Sequence, residues 1–175
     1  LSGEDDASME EVHDLIDATA YTDLVVLDDD SDADGDYAYA VAAVNQLGTV
    51  SALSANAWVT VDSQGPVVQF ISYAPRGNFD EIGQRFAPGI VDLVAVFDEP
   101  LRNRPHLALT VDGGVPMVVE LSVDPEDDTL YSGNLAIPTS SKSGIASAAL
   151  SAFDNANNRG TQILEGASIL VDAQA

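Results

Sequence analysis

The chain has 175 residues, 46% of them hydrophobic, with no cysteine and with 29 acidic side chains against 6 basic ones, a formal charge of −23. Such an acidic excess excludes ordinary nucleic-acid binding, which needs a basic footprint, and argues against an anionic membrane surface. Disulfides are excluded, no apolar run reaches the ~20 residues that span a bilayer, and the hydrophobic share is enough for one or two packed domains.

Lys142 is the only lysine, a composition that suits salty surroundings where carboxylates are screened and hydrated. The chain starts at Leu1 without an initiator methionine or a signal-like segment, so it reads as part of a longer or processed product. In chain order, Ser8 and Glu11 have capping-box spacing, and Met9, Val12, Leu15 and Ile16 could form a helical face; irregular strand fits the same stretch. Tyr21 to Val26 reads as a strand. Then comes a crowd of aspartates, Asp28-Asp29-Asp30-Ser31-Asp32-Ala33-Asp34-Gly35-Asp36. Asp30, Asp32, Asp34 and Gly35 match the first, third, fifth and sixth positions of an EF-hand loop. Val41 stands where that loop needs a bidentate Glu, and the flanks read as strands, so an EF-hand switch is not expected. A calcium site of other geometry and a solvated acidic loop both remain.

Residues 37–44 alternate as a strand, Asn45-Gln46-Leu47-Gly48 turns the chain, and a second strand runs from about 49 to 61. Tyr37, Tyr39 and Trp58 are expected in the core, with a carbohydrate-binding aromatic platform as the sharper alternative. Gly65-Pro66 ends one module and starts the next. Seven strands follow, at roughly 66–73, 90–97, 106–112, 116–123, 129–135, 145–153 and 161–172, the pattern of a seven-stranded sandwich. The long connection 74–89 holds Arg76, Arg85, Phe79 and Phe86; it either offers a docking surface or covers the edge of its own sandwich.

Catalytic chemistry finds little support. His13 and His106 are the only histidines, lie in different modules and lack metal-ligand company. No Ser-His-Asp spacing can be argued, cysteine nucleophiles are absent, and Asp112-Gly113-Gly114 reads as a hairpin turn. Asp98 and Glu99 could in principle be a glycosidase pair, but adjacent acids in so acidic a chain are more often solvated or metal-bound. The chain is therefore expected not to be an enzyme.

Tyr21-Thr22-Asp23, the run Tyr37-Ala38-Tyr39-Ala40-Val41-Ala42-Ala43-Val44-Asn45 and Gly48 together resemble the last three strands of a fibronectin type III domain. The second module is similar to bacterial Ig-like domains found in tandem on large secreted and surface proteins. Its matching pieces are Val94 to Leu101, Ala152 to Asn158 and the joint Val61-Asp62-Ser63-Gln64-Gly65-Pro66. Asn157 replaces the family's turn glycine, which Asn tolerates if φ is positive. The resemblance implies an all-β chain of two Ig-like or fibronectin-like sandwiches in tandem, residues 1–62 and 63–175, the first incomplete. A whole fibronectin module takes roughly 90 residues. Another chain or precursor fragment is therefore expected to complete the first module.

By the same resemblance, the aspartate loop hangs beside the linker, and Asp98, Glu99, Asp124, Glu126, Asp127, Asp128 and Asp154 gather at the entry end of the second module. Calcium at this joint is the expected cofactor. The ligands it implies are Asp62, Glu99, Asp154 and Asn155, with Asp30, Asp32 and Asp34 next. The expected role is a non-catalytic spacer or adhesion module of a large extracellular or cell-surface protein, with a protein or glycan ligand and no membrane insertion. The alternative is an accessory or docking segment of a processed secreted enzyme or toxin assembly.

Overall fold

The computed structural model describes residues 34–174. The protein is all-β over these residues, and it divides into two units, Leu1–Asp62 and Ser63–Ala175. Asp28, Asp29, Asp30 and Asp32, the strand expected at 21–26 and the helix-or-strand segment near Ser8 lie outside the described residues.

In the first unit, β1 (Gly35–Tyr39) and β2 (Ala57–Val61) pair antiparallel, with Gly35 opposite Val61 and Tyr37 opposite Val59. The Asn45 side chain closes the connecting turn by accepting the Leu47 and Thr49 N–H groups, both at 2.9 Å, while Gly48 takes a positive φ of 78°. The strand expected from 49 to 61 is only half realised. Ser54 and Ser51 hydroxyls accept the Val41 and Ala43 N–H groups at 3.1 and 2.9 Å, so side-chain oxygens replace ladder carbonyls there. One core expectation is corrected as well. Trp58 sits opposite Ala38, which places it on the other face of the ladder from Tyr37 and Tyr39, and it is 60% exposed. The two tyrosines are half-buried.

The second unit is one mixed sheet of eleven strands. They are β3 (Val68–Pro75), β4 (Phe79–Asp80), β5 (Arg85–Phe86), β6 (Gly89–Phe97), β7 (His106–Val111) and β8 (Met117–Val123), then β9 (Leu130–Ile137), β10 (Gly144–Phe153), β11 (Arg159–Gly160), β12 (Ile163–Glu165) and β13 (Ser168–Val171). The order runs β12-β3-β6-β9-β8-β7-β10-β13-β5-β4, with β11 against the end of β10. β8 is shared: Met117–Val119 pair with β7, and Glu120–Val123 pair with β9. Its inward residues Met117, Val119 and Leu121 pack in one cluster with Val91, Leu93, Ala95 and Phe97 of β6 and Ala146, Leu150 and Ala152 of β10. Period-two alternation thus puts both halves of the sheet around a single core, a β-sandwich-like arrangement.

The connection 74–89 covers an edge. β5 pairs parallel with β13, Phe86 packs against Phe79 with the rings tilted and their centroids 4.8 Å apart, and the Asp172 N–H donates to the Phe86 carbonyl at 2.9 Å. Its arginines are engaged, Arg76 with Asp92 at 2.6 Å and Arg85 with Asp172 at 3.4 Å. The strand expected at 161–172 is split into β12 and β13 by Gly166, at φ 78°, where a Cβ would strike the Ile71 backbone. As a result β12 runs parallel to β3 while β13 runs antiparallel to β10.

Candidate metal centre

The linker is fastened where it becomes β3. Pro66 is fully buried, and Gly65 lies so close to the Arg159 and Gly160 backbone that a Cβ on it would collide. A Cβ on Gly160 would likewise meet Pro66. The Val67 N–H donates to the Asp98 carboxylate at 2.8 Å, and the Asp98 N–H returns a bond to the Val67 carbonyl at 3.1 Å. Asp98 therefore pins the start of β3 to the end of β6.

Asp154, at the end of β10, is the one buried charged side chain among the described residues. Its carboxylate accepts the Asn158 N–H at 2.7 Å and the Asn158 side-chain amide at 2.9 Å. The turn closes with Asn157 N–H to the Asp154 carbonyl at 3.3 Å, and Asn157 adopts φ 75°, the conformation its place in this turn required. Burial of a carboxylate is costly unless donors satisfy it, and here one asparagine supplies two.

An oxygen from each of Asp62, Glu99 and Asp154 lies within 4.8 Å of the others. Asp62 is the last residue before the second unit, Glu99 follows β6, and both are half-buried. Two oxygens on one calcium ion, each at 2.3–2.6 Å, are at most about 5 Å apart, so this spacing suits a shared cation. Without one, three carboxylates so close repel by about 1 kcal/mol per pair even at the dielectric of water. Chemically the grouping is a hard, oxygen-only donor set.

Of the other expected ligands, Asn155 is exposed in the turn beside Asp154 and Asp34 is half-buried just ahead of β1; Asp30 and Asp32 lie outside the described residues. Several acids expected at this end serve their own turns. The Asp124 carboxylate accepts the Glu126 N–H at 2.9 Å. Asp127 accepts the Thr129 hydroxyl at 2.7 Å and its N–H at 3.0 Å, and these bonds hold its carboxyl below the usual range. The charge of Asp128 acts on Tyr131, whose phenol is pushed up by burial first and by that charge second. Sequence reasoning missed the pinning roles of Asp98 and of Gly65, Pro66 and Gly160; the Gly-Pro pair was the only signal for them.

Compared with known protein families and with curated proteins, the chain matches none. Among the described residues no helix is long and apolar enough to cross a membrane.

Proposed function

We propose that this chain is a non-catalytic structural or adhesion module of a large extracellular or cell-surface protein, in which calcium fixes the linker to the second unit. The observation that carries this reading is the grouping of Asp62, Glu99 and Asp154 within 4.8 Å. An ion there would tie Asp62, at the start of the linker, to the ends of β6 and β10. Strand order supports the finer assignment to an Ig-like sandwich. β3, β6, β9 and β8 are neighbours, as are β7, β10 and β13, which is the ABED and CFG grouping of such folds.

The experiment is calorimetric titration of metal-free protein with calcium in a background of monovalent salt, paired with thermal melts. A site of this kind at a hundredfold excess over its dissociation constant adds about 2.7 kcal/mol of stability, read as a rise in Tm. Glu99→Gln and Asp154→Asn should each abolish most of that rise. If calcium leaves Tm unchanged, or raises it equally in both variants, the reading fails.

A second reading is favoured by the first unit. Val41, Leu47, Val50, Leu53, Trp58 and Val59 are exposed among the described residues of this unit, and a large exposed apolar surface marks a contact site. Such a surface supports docking of another chain or precursor fragment that completes the module, as in a processed secreted assembly. Binding of such a partner should protect β1 and β2 amides from hydrogen exchange, and unchanged exchange rates would count against it.

A further inference from the structure

We propose that the second unit holds a binding site for a small organic carboxylate with an apolar body. It lies in a cavity of about 340 Å³ between the β6–β7 connection and the ends of β8 and β9. That volume is at the lower end of small-molecule pockets. Apolar surface is offered by Val123, which is exposed, and by Leu101, which packs against the core; the buried Leu121 and Tyr131 lie behind them. The rim carries Arg102 and Arg104.

These two arginines are a third of the 6 basic side chains in a protein with 29 acidic ones. Arg76 and Arg85 each have a carboxylate partner, whereas Arg102 and Arg104 enter no ion pair among the described residues. Arg102 is nevertheless oriented. Its N–H donates to the Phe153 carbonyl at 2.9 Å, and its guanidinium donates to the Asn157 side-chain oxygen at 3.0 Å. A neutral amide aims the guanidinium without cancelling its charge, leaving further N–H donors of the planar fork for an anion. Arg104 precedes the buried Pro105, which narrows its backbone to extended conformations. The Tyr131 hydroxyl stays protonated at neutral pH and can act as an additional donor.

The overall charge selects the ligand. A field of −23, with Asp128 close to Tyr131, disfavours a bare inorganic anion at long range. Occupancy therefore requires apolar contact with Leu101 and Val123 together with charge-assisted bonds to the guanidinium groups.

The test is an amide NMR titration of the whole chain with phenylacetate, alongside neutral phenylacetamide and inorganic sulfate. We expect saturable shifts confined to residues 101–104, 121–123 and 131, with phenylacetamide and sulfate each at least tenfold weaker. Arg104→Gln removes no intramolecular bond among the described residues and should weaken phenylacetate at least tenfold with the rest of the spectrum unchanged. The proposal is overturned if phenylacetate gives no saturable shifts, if sulfate or the amide binds as well, or if Arg104→Gln binds with unaltered affinity.

Discussion

Asp154 holds its turn together through both carboxylate oxygens, and removing them should be costly in a way a surface aspartate would not be. Asp154→Ala leaves the Asn158 N–H and amide without their acceptor, a loss of about 1–3 kcal/mol measurable by urea denaturation. Tyr73 offers a pH signature. Burial pushes its phenol up to about 12, and the hydroxyl donates to the Gly166 carbonyl at 2.9 Å. The folded state thus holds this proton more tightly than the unfolded chain, whose phenol titrates near 10. Its contribution is complete below pH ~10 and is lost as pH rises toward the folded value. Tm measured from pH 9 to 12 should fall less steeply in Tyr73→Phe, which at neutral pH loses about 1 kcal/mol with the hydrogen bond. Asp92 has the opposite sign. The hydrogen bond from Arg76 lowers its pKa, so the stability it adds is present above the ordinary carboxylate range and disappears as pH falls through the folded value. That pair is solvent-exposed, and its effect on acid unfolding should be small.

Among elements, the long strands were readable because their alternation is strong. β6 buries Val91, Leu93, Ala95 and Phe97 in strict period two, and its observed bounds differ by one residue at one end from those the pattern predicts. What the sequence hides is pairing by short segments. β4 and β5 are two residues each, too brief for any periodicity, and their place is set by Phe79 and Phe86 packing rather than by propensity. Gly166 reads as an ordinary residue within a strand until the Ile71 backbone is seen against it. Gly160→Ala should destabilise by about 1–3 kcal/mol, because the added methyl meets the Pro66 backbone, which cannot yield as a side chain would. A melt of Gly77→Ala, where nothing lies within 4 Å of the added atom, is the matched control and should be near wild type. Asp62, Glu99 and Asp154 are far apart in sequence, and no local spacing could group them; only family-like motifs at the linker and at two strand ends pointed to them. The hydrogen bonds that tie up Asp98, Asp124 and Asp127 left no trace in the sequence, since an aspartate that caps a turn looks like one that binds an ion.

At the scale of the molecule, the two units differ in how they bury apolar surface. The second encloses one contiguous core, and its outermost strands, β12 and β4, are three and two residues long, which blunts edge-to-edge association. The first exposes its sole tryptophan. Trp58 emission should be red-shifted and readily quenched by acrylamide in the isolated chain, and should shift to the blue when a completing partner binds. Quenching already suppressed in the isolated chain would argue that the hairpin is covered without help. The split of the last long strand has a mechanical consequence. Val68 and Phe70 near the start of the second unit pair in parallel with Ile163 and Glu165 near its end. Tension applied through the two termini therefore pulls these strands past each other, so their hydrogen bonds share the load together instead of opening one at a time. Force spectroscopy on the second unit should show a single high rupture peak, and Gly166→Ala, by loosening the kink that lets β12 reach β3, should lower it.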